Sequence, residues 1–274
     1  MRQHETKKSG TLSTPPIVSV KRHQEPSVFT PENLLREARR QKSLPQKNVP
    51  DICILDPDGD IVRWLRNEHR AERDTNWACY HTDLYTFTEQ DILFGVIGCA
   101  VGASFAVLVA EELFASGCKL LISVTSAGQI VEKGEPPYFV LIEKALRDEG
   151  TSYHYLPPTD FSYISPSLLS MLSQSLQNAK QKVYVGPTWT TDAPFRETEL
   201  AIEHCRNLGI MGVEMEAAAL YAFAEARKKA VICLAHITNR MAQTEGDFEK
   251  GAHGGSQEAL GVINFITKAW ISHK

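Results

Sequence analysis

Apolar and polar positions along this chain fall into blocks of two kinds. Short, nearly continuous apolar runs at 51–55, 92–98, 119–124, 138–142, 182–185 and 230–237 read as strands, several of them buried on both faces. Between them, apolar residues recurring at helical spacing predict helices over about 103–116, 165–179, 194–207 and 213–228, with a last one over 256–271. Upstream, Thr30-Pro31-Glu32-Asn33 predicts a helix start, with Thr30 as N-cap and Pro31 at the first helical position. Leu34, Leu35 and Ala38 give that helix an apolar side, and Arg36, Arg39, Arg40 and Lys42 close it in the sense its dipole favours. Whether it lies on the domain surface or reaches a neighbouring subunit stays open. Residues 1–27, rich in Lys, Gln, Ser and Pro without a period, read as a flexible polar tail, and 28–49 as a helical extension. Residues 50–274 then form one α/β domain, a mixed, mostly parallel central sheet flanked by helices.

Ligands in such folds collect at the carboxyl ends of the strands. The most distinctive stretch is Gly212-Val213-Glu214-Met215-Glu216 before an alanine-rich run, read as a helix start. Val213, Ala217, Leu220 and Ala224 share one buried face, and Glu216 lies beside it. A buried carboxylate needs protein donors or a ligand's hydroxyls. Glu214 better suits a plain first-turn carboxylate favoured by the helix dipole.

Thr125-Ser126-Ala127-Gly128 reads as a small, hydroxyl-rich loop after a strand, able to hold an anion or a sugar oxygen, or as an ordinary turn. Gly98 and Gly102 suggest a second close-approach loop. Neither a nucleotide-hydrolysing P-loop nor a dinucleotide fingerprint is present. After the 182–185 strand, Asp192, Phe195 and Arg196 combine an aromatic ring with hydrogen-bonding groups, which suits a planar heterocycle. Asp192 is equally suited to cap the helix starting at Pro194. Asn239 and Arg240 end the most apolar strand and are placed to read polar edges of a ligand, with a structural salt bridge the competing view of Arg240. Asp56-Pro57-Asp58-Gly59-Asp60 is a turn, because Ile61 and Asn67 stand where a calcium loop requires Gly and Glu.

Composition narrows the class. The chain has 274 residues, 43% hydrophobic, with a net charge of -4, which argues against nucleic-acid and membrane-surface partners. No apolar run approaches the ~20 residues of a spanning helix, and the polar N-terminus lacks a signal-peptide core, so a cytoplasmic protein is expected. Cys53, Cys79, Cys99, Cys118, Cys205 and Cys233 form no C-x-x-C pair and read as reduced, buried thiols. The nine histidines show no metal-ligand spacing, and neither metal nor cofactor is expected.

Val213-Glu214-Met215-Glu216-Ala217-Ala218-Ala219 resembles the signature of the nucleoside phosphorylase and nucleosidase superfamily. Residues 148–155 and Asn239-Arg240 resemble segments of its uridine phosphorylase branch, and Asp56-Pro57 and Gly102 through Leu113 match its first strand end and glycine loop. The resemblance covers roughly residues 50 to 270. It implies a phosphorylase-like fold, a small-molecule nucleoside substrate, and cleavage of an N-glycosidic bond through an oxocarbenium-like state. Glu216 and Met215, with Glu214 beside them, would hold the ribose, and Asn239 and Arg240 would stabilise charge developing on the base. Phe195 would stack on sugar or base, with Asp192 and Arg196 near it. Ser126 and Gly128 would contact the substrate, and Ser126 and Gly102 would border the phosphate or nucleophile site. Inorganic phosphate is the implied co-substrate and a homo-oligomer the implied assembly.

The departures bear on the reaction. The family's phosphate-binding arginines fall here at Gly59 and Ser123, a third, from a neighbouring subunit, would lie near 79–81 where there is none, and only Ser126 survives. Phosphate bound without them loses several charge-assisted hydrogen bonds, unless another cation such as Arg63 substitutes. Phosphorolysis is the nominal reaction, with hydrolysis and a catalytically inactive nucleoside-binding protein as alternatives.

Overall fold

The computed structural model describes residues 14–19, 21–176, 181–241, 243 and 245–273. Among the described residues, ten strands form one mixed sheet: β1 (Ile52–Asp56), β2 (Glu72–Arg73), β3 (Tyr85–Glu89), β4 (Ile92–Gly98), β5 (Leu120–Gln129), β6 (Tyr138–Asp148), β7 (Phe161–Tyr163), β8 (Val183–Thr191), β9 (Gly212–Glu214) and β10 (Ala230–Asn239). The continuously apolar strands run parallel at its centre, in the order β4-β1-β5-β10. β10 also pairs with β6, β6 with β8, β8 with β9, and β9 back onto β5, so these five strands close into a ring. β1, β4, β3 and β2 extend the sheet from β5 as an open wing.

The helices are α1 (Pro31–Lys42), α2 (Asp60–Asn67), α3 (Ala103–Ala115), α4 (Pro166–Ser175), α5 (Glu199–Asn207), α6 (Ala217–Arg227) and α7 (Ser256–Ser272). α3 and α6 pack together, as do α7 with α2 and α4, covering the apolar strands between them. Tyr221 of α6, fully buried, ties helix to sheet. Its hydroxyl donates to the Ile142 carbonyl at 2.5 Å and accepts from the Cys233 N–H at 3.1 Å. α1 begins as its sequence predicts, with the Thr30 hydroxyl accepting from Asn33 N at 3.3 Å. It lies on the surface of α3 with Leu35 and Ala38 buried, and the Lys42 ammonium donates to the carbonyls of Ala78 and Cys79.

α3 and α7 match their predicted spans closely. Elsewhere the strands run further than the apolar pattern indicates: β5 to Gln129, β6 to Asp148 and β8 to Thr191. The polar ends of these strands are paired in the ring, which hydrophobic patterning does not report. α2 and the short strands β2, β3 and β7 are additional to the predicted elements. Residues 1–13 of the expected tail and 177–179 of the expected helix lie outside the described residues. Five cysteines are buried, but Cys99, expected to be buried, is exposed at the end of β4 with a left-handed backbone, φ 64°. No helix among the described residues is long and apolar enough to cross a membrane.

Candidate active site

The stretch from Gly212 to Glu216 is a strand end and a turn rather than the predicted helix start. Gly212–Glu214 is β9, squeezed between β5 and β8, and α6 begins only at Ala217. Glycine is required at 212, since a Cβ there would come within 2.6 Å of Ile237 Cδ1 and 2.9 Å of the Gly128 carbonyl oxygen. The two carboxylates consequently have separate fates.

Glu214 is 3% exposed and its acceptors are filled by protein. It takes hydrogen bonds from the hydroxyls of Thr188 and Thr190 at 3.1 and 2.5 Å, and from the backbone N–H groups of Glu216 and Ala217 at 2.7 Å each. Two of these donors open α6, but Glu214 itself stands in β9 and not in the helix's first turn, where its sequence position put it, and both of its oxygens are occupied by protein donors. Glu216 is 1% exposed, yet among the described residues only one of its oxygens is engaged: Oε1 accepts from Gly102 N at 2.7 Å, and Oε2 has no hydrogen-bond partner there. Burial, together with the neighbouring Glu214 charge, pushes its carboxyl up to about 8, against the Gly102 N–H and the Thr125 side chain. An orphaned buried acceptor marks the place where a ligand's hydroxyl donors belong. Met215, half-buried, adjoins it.

Thr125–Gly128, expected as a loop, belongs to β5, because Gly128 pairs with Val213 of β9 and with Asn239 of β10. A shift of register between Ile237 and Asn239 bends β10 at this point, a bulge that aims side chains into the site. Asn239, 6% exposed, donates from Nδ2 to Thr238 Oγ1 at 3.1 Å and accepts at Oδ1 from Met241 N at 2.8 Å. A second amide proton is left for a ligand. The Gly128 Cα approaches Met241 so closely that a Cβ would meet its sulfur at 2.7 Å.

The region expected to take phosphate already holds an anion. Asp58, on the turn after β1, accepts at Oδ2 from Ser126 N at 2.8 Å and at Oδ1 from Ser126 Oγ at 3.0 Å. The Lys250 ammonium lies 3.4 Å from Asp58 and 2.6 Å from Asp60, and Arg63 donates to Asp60 at 2.5 Å and to the Asp58 carbonyl at 2.8 Å. The Arg63 guanidinium packs directly on Gly59, where a Cβ would stand 2.8 Å from Nη1. Asp56 holds the turn by accepting from Gly59 N and Val62 N at 3.1 and 3.0 Å, and burial raises its carboxyl to about 7. Only about 20 Å³ of cavity remains among Asp56, Asp58, Ser126 and His236. His236 stacks on Phe139 at 4.5 Å and is held neutral, pushed down to about 4 by burial and by Lys250. Ser123, at the second expected arginine position, is buried with its hydroxyl unpartnered among the described residues.

The remaining expectations are corrected by geometry. Arg240 is at the surface, paired with Glu135, while its N–H donates to Asp247 at 2.9 Å; the salt-bridge view holds. Asp192 caps no helix, for α5 is capped by Thr198, and its Oδ2 accepts from Gly150 N at 2.8 Å instead. Phe195 and Arg196 lie on a 3-10 turn, Phe195 99% exposed and Arg196 exposed, away from any stacking partner among the described residues. Asp58, Lys250 and His236 are site residues that sequence reading missed. Asp58 reads as a turn residue, and Lys250 reaches the site from a loop 190 residues beyond Asp60.

Comparison with known proteins agrees with this architecture. The family profile described as the phosphorylase superfamily matches residues 51–263. The chain is similar to a guanosine phosphorylase from Halorubrum lacusprofundi, 23% identical over 64% of this chain and 66% of that protein, so it spans just under two thirds of that relative. Among solved structures, it resembles uridine phosphorylase from Vibrio fischeri ES114 (TM-score 0.66, 21% identity, covering 82% and 94% of the two chains). It also resembles AMP nucleosidase from Bacteroides thetaiotaomicron (TM-score 0.67, 20% identity, 89% and 100%). At these identities the two structures speak to the fold alone.

Proposed function

This chain belongs to the phosphorylase superfamily, and within it we propose that it breaks the N-glycosidic bond of a nucleoside with water, rather than phosphate, as the attacking group. The carrying observation is Asp58. Its carboxylate accepts the two Ser126 donors that a phosphate oxygen would otherwise use, and Lys250 neutralises it. A carboxylate in that position repels phosphate and is a ready acceptor for a water proton.

In this reading Glu216 accepts hydrogen bonds from the ribose hydroxyls through its free Oε2, with Met215 against the sugar. Asn239 donates to charge building on the base. The water oxygen bonds to C1′ and the C1′–N bond breaks with its electron pair leaving on the base. Asp58 takes a water proton, and the base is neutralised by a proton from solvent. Gly102 holds Glu216 in register, and its backbone (φ 90°) is one that a residue with a Cβ adopts at a cost. The exposed ring of Phe195 supports a homo-oligomer in which a second copy covers that turn. A cytoplasmic location is part of the same reading.

The test is base release from a nucleoside panel with and without inorganic phosphate. The expected result is free ribose and a rate indifferent to phosphate. Release that depends on phosphate and yields ribose 1-phosphate overturns the hydrolytic reading, and no release from any nucleoside overturns the enzymatic one.

A further inference from the structure

A second cavity system lies at the far end of α6. Glu216 precedes the first turn of this 11-residue helix and Arg227 is in its last, about 16 Å away at 1.5 Å per residue. Here the N-terminal segment, its 3-10 turn Pro16–Val18 included, lies against the turn Ser152–His154. Between them is a cavity of about 480 Å³ bordered by Lys21, Arg22, His23, His154 and Arg227, with Glu25 as its single carboxylate. Glu25 is taken by Arg22 at 2.9 Å.

The Lys21 ammonium stands 3.1 Å from His154 Nδ1, a cation against an imidazole rather than a carboxylate. His23 Nε2 is 3.2 Å from the Tyr153 carbonyl oxygen, so its ring is fixed beside them. Burial and the proximity of Lys21 and His23 hold His154 below its ordinary range. Two histidines and the Lys21 ammonium, beside the Arg227 guanidinium that Glu111 holds at 3.3 Å from the adjoining cavity, form a site whose electrostatics improve when a dianion enters.

This cavity shares Pro26, Ser27, Tyr155 and Arg227 with a second one of about 560 Å³, whose walls include Phe29, Leu34, Leu108 and Phe114. Glu112 also lines it. Both of its carboxylate oxygens are buried without a hydrogen-bond partner among the described residues, and burial raises its carboxyl. A basic end continuous with an aromatic and aliphatic end fits one ligand shape, a planar ring carrying a phosphate.

We propose that the cavity between the N-terminal segment and α6 is a second ligand site for an aromatic phosphate monoester, with the phosphate at Lys21, His23, His154 and Arg227 and the ring between Phe29 and Tyr155. The site is distinct from the one around Glu216 and does not depend on the hydrolytic reading.

The probe is phenyl phosphate, titrated calorimetrically into the full chain, with inorganic phosphate and phenol as its separate halves. One equivalent of phenyl phosphate binds more tightly than either half. Lys21→Ala weakens it at least about tenfold, the worth of one charge-assisted hydrogen bond. Phe29→Ala weakens phenyl phosphate but not inorganic phosphate, and Ser126→Ala changes neither. As a readout that needs no variant, the His154 imidazole resonance of the native protein titrates at higher pH when the probe is bound. No binding, inorganic phosphate binding as tightly as phenyl phosphate, sensitivity to Ser126→Ala in place of Lys21→Ala, or an unmoved His154 resonance each overturn the proposal.

Discussion

Replacing Asp58 by alanine tests the chemistry most directly. The side chain accepts two hydrogen bonds from Ser126, at 2.8 and 3.0 Å, and stands 3.4 Å from the Lys250 ammonium. Hydrogen bonds to a charged group contribute about 1.5–3 kcal/mol each, but the Asp58 side chain is 27% exposed and solvent screens part of this. The substitution should therefore cost about 2 kcal/mol of stability, readable in urea denaturation. Activity should change in kind as well as amount. Removing a general base lowers turnover by roughly 10²–10⁴, so base release in phosphate-free buffer should fall by that factor. The vacated space keeps the Ser126 N–H and hydroxyl, with Lys250 beside them, and these are donors a phosphate can use. Added phosphate should then stimulate the variant and yield ribose 1-phosphate, while leaving the parent protein unaffected. A folded Asp58→Ala protein that releases base at the parent rate without phosphate refutes the role given to Asp58. One that stays inert at every phosphate concentration refutes the assignment of this space as the anion site.

Two further outcomes follow from buried groups. Glu216 has a folded-state value of about 8 against an ordinary 4.5, so the folded protein holds a proton there that the unfolded chain releases. Its contribution is favourable at low pH and is lost as pH rises from about 4.5 through 8. At about 1.36 kcal/mol per unit this amounts to at most about 5 kcal/mol. Glu216→Gln should remove that share of the stability loss between pH 5 and 9 while weakening nucleoside binding; an unchanged stability–pH curve refutes the shift. Tyr221→Phe leaves the Ile142 carbonyl and the Cys233 N–H without their shared partner. It should cost about 1–3 kcal/mol in the same denaturation assay, and a loss within error of zero would mean that water takes over both bonds.

Much of the fold is legible in residue order because its signals are local. Thr30 and Pro31 specify the start of α1 by capping and a preset φ, and the unbroken apolar runs of β1, β4 and β10 announce strands covered on both faces. The site is legible only where one residue type admits few explanations, as with a carboxylate at Glu216 beside an apolar helix face. The rest is decided by partners distant in the chain. Thr125–Gly128 looks like a loop because its small polar residues have no local reason to be extended; β9 and β10 supply that reason from about a hundred residues away. Glu214 and Glu216 are chemically alike two positions apart, and only the threonines of β8 distinguish them. Arg240 and Phe195 carry the right chemistry for a ligand, but their backbone turns them to Glu135 and to solvent.

Asp58 is joined to β1 through Pro57 alone, and the turn that carries it is pinned by the Asp56 side chain and by Gly59 (φ 75°). A group on so short and rigid a tether presents itself at an effective concentration that a dissolved ion can match only with difficulty. On the hydrolytic reading, the anion site arrives permanently filled, with no on-rate, no saturation and no dependence on supply. A protein built this way would keep the same rate in phosphate-starved and phosphate-rich surroundings.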